Sequence, residues 1–109
     1  MNLGNNERAL HDYDEAIRLD PRESRVFYNR GDIYRIVGDN DRAIADYNEA
    51  LRLNSKFAEA LYARGMAKLK KGDGDGANAD MTTARGLKPD IADEFVRRGN
   101  ELVIKSFIK

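Results

Sequence analysis

The sequence contains no cysteine, so disulfide cross-links and thiol chemistry are excluded. It has a single histidine, His11, with no thiol or second imidazole beside it, and this residue reads as part of an exposed helix side. Net charge is absent too, because 19 lysines and arginines balance 19 acidic residues. No overall field then holds a phosphate backbone through counterion release, and nucleic acid is not expected as a partner. Long apolar runs are missing, none approaching the roughly 18 residues that a membrane span needs. The opening Met1-Asn2-Leu3-Gly4-Asn5 has neither the basic nor the apolar region of a signal peptide. No membrane partner is expected, and the composition fits a cytoplasmic protein.

What the chain does have is a period. The stretch from Ser24 to Phe57 returns after 34 residues. Arg30-Gly31 recurs as Arg64-Gly65 and as Arg98-Gly99, while Gly38 recurs at Gly72 and, looking backward, at Gly4. Ala43 matches Ala77 and Ala9, Asp46 matches Asp80 and Asp12, and Ala50 matches Ala84 and Ala16. A fixed period of this length marks stacked supersecondary units. With 109 residues the chain supports one domain. It divides into the second half of a unit (1–21), full units at 24–57 and 58–91, and a terminal capping helix (92–109).

Each unit reads as two helices. In the opening half, apolar Ala9, Leu10, Tyr13, Ala16 and Ile17 form a helical face over Glu7 to Leu19, with Asn5 and Asn6 as caps. Asp20-Pro21 ends that helix, since the proline ring disfavours helical geometry in the residue before it. The central unit predicts helices over about Ser24–Val37 and Asp41–Leu53, turning at Gly38. The next predicts Ala58–Lys71 and Asp75–Leu87, closed by Lys88-Pro89. The last of these, with Gly74, Gly76 and Gly86, is expected to open most easily. A final helix restarts at Ile91. Glycine inside a helix costs about 1 kcal/mol relative to alanine, so Gly31, Gly65 and Gly99 predict close helix approach, met by Ala50 and Ala84. Lys68, Lys70 and Lys71 sit at a helix end, where cations are favourable.

These columns resemble the tetratricopeptide repeat family over nearly the whole chain. The matching features are small residues at Gly31, Ala43 and Ala50, aromatic Tyr34 and Tyr47, and closing Pro21 and Pro89. Departures are Ser55 at a closing-proline position, Lys68 in the column of Tyr34, Asn78 in an aliphatic column, and arginine at positions 30, 64 and 98. The resemblance implies an all-α, right-handed solenoid of about six helices in antiparallel pairs, with the first helix of each pair on the concave side. It also implies a scaffold that holds a peptide or helix of a partner protein in that groove. The groove residues it places are Arg25, Tyr28, Asn29, Asp32, Arg35, Tyr62, Met66, Val96 and Asn100, with Glu59, Ala63, Lys70 and Arg97 beside them. Some family members clamp a C-terminal carboxylate with lysine, asparagine and arginine. Asn29 is similar to the clamp asparagine, but Tyr62 and Met66 stand at the flanking basic positions, so chaperone tails are not expected as partners.

Two further expectations concern charge and ends. The aspartate column (Asp12, Asp46, Asp80) accompanies the arginine column, and each arginine is expected to reach an aspartate across a helix interface. The terminal helices lack partners, leaving Leu10 and Ile17 at one end and Leu102, Ile104, Phe107 and Ile108 at the other. Burying such side chains is worth about 1.5–3 kcal/mol each. Self-assembly into dimers or higher oligomers through these ends is therefore the alternative function. Catalysis is not expected. The stretch Gly72-Asp73-Gly74-Asp75-Gly76 falls on the ordinary repeat turn, and an EF-hand loop would need an oxygen ligand at Ala77 and a glycine at Asn78. No catalytic residue, metal or cofactor is assigned.

Overall fold

A computed structural model describes residues 3–98, with side chains from residue 4 onward. Its helices are α1 (Leu3–Leu19), α2 (Ser24–Ile36), α3 (Asn40–Leu53), α4 (Ala58–Lys70) and α5 (Gly74–Leu87). A sixth, α6, is helical over 91–98. No strand occurs among the described residues. The helices form an all-α solenoid of antiparallel pairs, α2 with α3 and α4 with α5.

Local chemistry sets the hairpins. Gly38 and Gly72 have φ of 90° and 89°, a left-handed conformation that side chains resist. Each closes its helix in the same way. The Asp39 amide donates to the Tyr34 carbonyl at 2.8 Å and the Asp73 amide to the Lys68 carbonyl at 2.9 Å. The same two aspartates then start the next helices, their side chains accepting from the amides of Arg42 and Gly76. At the opening, the expectation of a closing Gly4 and capping Asn5 and Asn6 is corrected. All three lie inside α1.

The packing explains the glycine column. A Cβ on Gly31 would lie 2.9 Å from a Tyr47 ring carbon and 3.2 Å from the Asp46 Cβ. One on Gly65 would lie 2.9 Å from Met81 Cγ and 3.0 Å from the Ala77 carbonyl oxygen. The surfaces facing these glycines thus come from residues preceding Ala50 and Ala84 on α3 and α5. The core between them is aromatic and alanine-rich: Phe27, Tyr28, Tyr47 and Phe57 with Ala43, Ala50, Ala60, Ala63 and Ala67. Alanines let helix axes approach, and the aromatics fill what remains.

The arginine column closes each pair. Arg30 makes a two-pronged contact with Asp46, both bonds 2.8 Å. Arg64 repeats it on Asp80, both bonds 2.7 Å. Each guanidinium also reaches back to the preceding unit, Arg30 to Asp14 and Arg64 to Asn48, at 2.9 Å. Lys68 turns its departure from the aromatic column into a third contact on Asp80, at 3.0 Å. Burial would raise the Asp80 carboxyl, but Arg64 and Lys68 outweigh it and hold it below the usual carboxylate range. The expectation for Asp12 is corrected: it is exposed beside His11, and Arg30 meets Asp14 instead. Arg98 lies over the Phe95 ring, 5.2 Å from its centre, with no aspartate partner among the described residues.

Candidate functional site on the concave face

The curvature follows from which helices touch. The backbones of α2 and α4 approach one another closely, whereas those of α1, α3 and α5 do not. First helices therefore crowd along one side of the stack, and that side is concave. It is the face to which the groove residues were assigned.

Arg25 is exposed and its guanidinium lies 4.9 Å from the Phe57 ring centre. Asn29 and Met66 are half-buried, and Val96 is 57% exposed. Tyr62 is half-buried against Phe95, ring centres 4.8 Å apart. Tyr28 does not form an open platform: it is only 3% exposed, packed on Phe57 at 4.9 Å and Tyr47 at 5.9 Å. Its hydroxyl has no hydrogen-bond partner among the described residues. Burial, with the Asp32 charge adding to it, pushes the phenol well above its ordinary range. Asn100 lies outside the described residues.

Asp32 and Arg35 are joined through a residue assigned only to the core. The Tyr47 hydroxyl donates to Asp32, and Arg35 Nε donates to the same hydroxyl at 3.1 Å. Arg35 also lies 3.6 Å from Asp32. Burial alone would lower Arg35, but Tyr47 and Asp32 reverse the shift. The groove floor at this point is a fixed three-membered network rather than three loose side chains. At the far side, Lys88 bridges Glu59 at 3.1 Å and Glu94 at 2.7 Å, tying α4 to α6. Burial pushes Glu59 up, and the Lys88 contact overrides this to hold it below the usual range.

Two cavities flank these elements. One, of about 380 Å³, lies among Asp14, Arg30, Tyr34, Arg42, Ala45 and Asp46, whose charged groups already pair with neighbouring side chains. The other, of about 350 Å³, lies where α2 and α4 end, lined by Arg35, Ile36, Gly38, Asn40, Met66 and Lys70. Sequence reasoning assigned Arg35, Met66 and Lys70 to the groove but missed Ile36 and the turn residues. The signal was the column shared by Ile36 and Lys70.

Of the self-association set, Leu10 and Ile17 are half-buried, and Ile17 packs against the core. Leu102, Ile104, Phe107 and Ile108 lie outside the described residues. Among the described residues no group of three or more His, Asp or Glu side chains could hold a metal ion. No described helix is long and apolar enough to cross a membrane.

Family sequence models match the chain twice, one described as tetratricopeptide repeat over residues 12–45 and one as TPR repeat over residues 31–72. No curated protein sequence matches it. Solved structures do. The second TPR of Spaghetti (RPAP3), bound to the HSP90 peptide SRMEEVD, is 27% identical with a TM-score of 0.76, over 78% of this chain and 79% of that one. The Yersinia enterocolitica type III secretion chaperone SycD, in complex with a peptide of the translocator YopD, shares the fold at 24% identity and a TM-score of 0.78, over 97% and 84%. MamA shares it at 24% identity and a TM-score of 0.75, the match covering 84% of this chain and only 53% of MamA.

Proposed function

The chain belongs to the tetratricopeptide repeat family, and from that premise we propose that it is an interaction scaffold holding a peptide or helix of a partner protein in its concave groove. The observation that carries the proposal is the makeup of the inner face. Arg25 is exposed, and Asn29 and Met66 are half-exposed, on adjoining helices above the fixed Asp32–Tyr47–Arg35 network. A rigid floor with solvent-facing polar and apolar groups loses little freedom when a ligand settles on it. The peptide held by the second TPR of Spaghetti supports the same use of the fold. No catalytic step forms part of this reading.

The test pairs binding with mass. Arg25→Glu combined with Asn29→Ala should weaken a selected peptide by about tenfold, roughly 1.4 kcal/mol, without altering mass by light scattering. Unchanged peptide binding would remove the groove reading. Mass that grows with wild-type concentration would move self-assembly to the front.

A further inference from the structure

We propose that the cavity at the turn end of the groove is a docking pocket for one short element of the partner: a carboxylate beside a leucine-sized side chain. The inference rests on the groove reading and names the chemistry that the groove selects. The repeat builds the pocket. α2 and α4 lie side by side and end at the same edge. Arg35-Ile36 on one recurs as Leu69-Lys70 on the other, so the apolar and basic residues exchange places between neighbouring columns. Of these four, Arg35, Ile36 and Lys70 line the cavity, and Met66 supplies the apolar residue on the α4 side. Ile36 is 50% exposed, and it lines the cavity together with half-buried Met66.

Charge complementarity selects the occupant. Among the described residues no carboxylate lines the cavity, whereas Lys70 and Arg35, the latter backed by Asp32, both do. Within the lysine cluster, Lys68 pairs with Asp80 and Lys71 with Asp41, but Lys70 has no acidic partner among the described residues. Arg35 is anchored from behind by Tyr47 and Asp32, so it stays where it is whether or not a ligand arrives. A carboxylate between these two cations gains two favourable contacts, and an aliphatic neighbour covers Ile36 and Met66. The volume of about 350 Å³ stands near the lower end of the roughly 300–1,000 Å³ typical of ligand pockets, which suits one or two side chains of a longer peptide.

The experiment selects displayed random peptides on the full chain, then measures the winners by fluorescence anisotropy against variants that keep their helical circular dichroism. Winners should be enriched in Asp or Glu next to Leu, Ile or Met. Lys70→Glu should weaken them by about tenfold and Ile36→Ser by about fivefold, and added salt should weaken wild type more than Lys70→Glu. Lys70→Glu used as bait should enrich Lys or Arg instead. Winners that lack the acidic–aliphatic pair, or that bind Lys70→Glu as tightly as wild type while losing to Arg25→Glu, would overturn the pocket and leave the groove standing. A wild-type chain that selects no peptide would remove the groove reading and this inference with it.

Discussion

Replacing Asp46 with asparagine measures how firmly the two helices of a unit are clasped. The change keeps the side chain's shape and removes its charge. Asp46 is 8% exposed and accepts two bonds from Arg30, both 2.8 Å. Breaking a fully buried ion pair costs about 3–5 kcal/mol, and losing an exposed one about 0–1 kcal/mol. This pair falls between the two. Arg30 is 21% exposed and keeps Asp14 at 2.9 Å, so its charge is not stranded. Bonds to charged groups contribute about 1.5–3 kcal/mol, and that is the expected loss. For a chain of this size it corresponds to a Tm lower by about 6–12 °C. Urea unfolding followed by circular dichroism, on wild type, Asp46→Asn, Arg30→Met and the double variant, gives both the loss and the coupling. The coupling should reach about 1–3 kcal/mol. A loss below about 0.5 kcal/mol, or single effects that simply add, would refute the clasp.

Two glycines should respond to alanine with opposite sign. Gly31→Ala places a Cβ 2.9 Å from the ring of fully buried Tyr47, so overpacking of about 1–3 kcal/mol should exceed the helix-propensity gain of about 1 kcal/mol. A Cβ on Gly86 would meet no described atom within 4 Å, so Gly86→Ala should stabilise by up to about 1 kcal/mol, and thermal melts compare the two directly. Acid should destabilise the fold through Asp80 and Glu59, both held below their ordinary values. Depressed folded-state values mean that their contribution is present above the unfolded values of about 3.9 and 4.3 and is lost as pH falls through the lower folded ones. Urea midpoints should therefore drop below about pH 4, and Asp80→Asn should flatten that limb.

The period made the helices legible because the residues that start and stop them are local. Gly38, Gly72, Asp39 and Asp73 act on their own turns, and their columns repeat. Gly4 misled for the same reason: its column matched, but it lies inside α1 and not at a turn. The site was harder to read because its members are set by distant neighbours. Tyr28 lies on the inner face as its column implies, yet Phe57 from the end of the unit covers it. Which acid meets Arg30 depends on the level at which α1 crosses α2, and that places Asp14 rather than Asp12 within reach. Tyr47 has a core residue's pattern because its ring is core, and only the hydroxyl belongs to the groove.

Arg30 and Arg64 each spend one side of the guanidinium inside their own unit and the other on the helix before it. In a linear array, stability divides into what each unit contributes alone and what each junction adds. Here one guanidinium supplies both through different nitrogens, so the two quantities are coupled. An intact array should let go as a single block, in one sharp transition. Remove one arginine and a unit weakens at the moment its junction does. The transition should then broaden and split, with α1 peeling from the Arg30 variant before the rest. These two side chains add to the coupling that the shared core already provides, and their share can be removed one at a time.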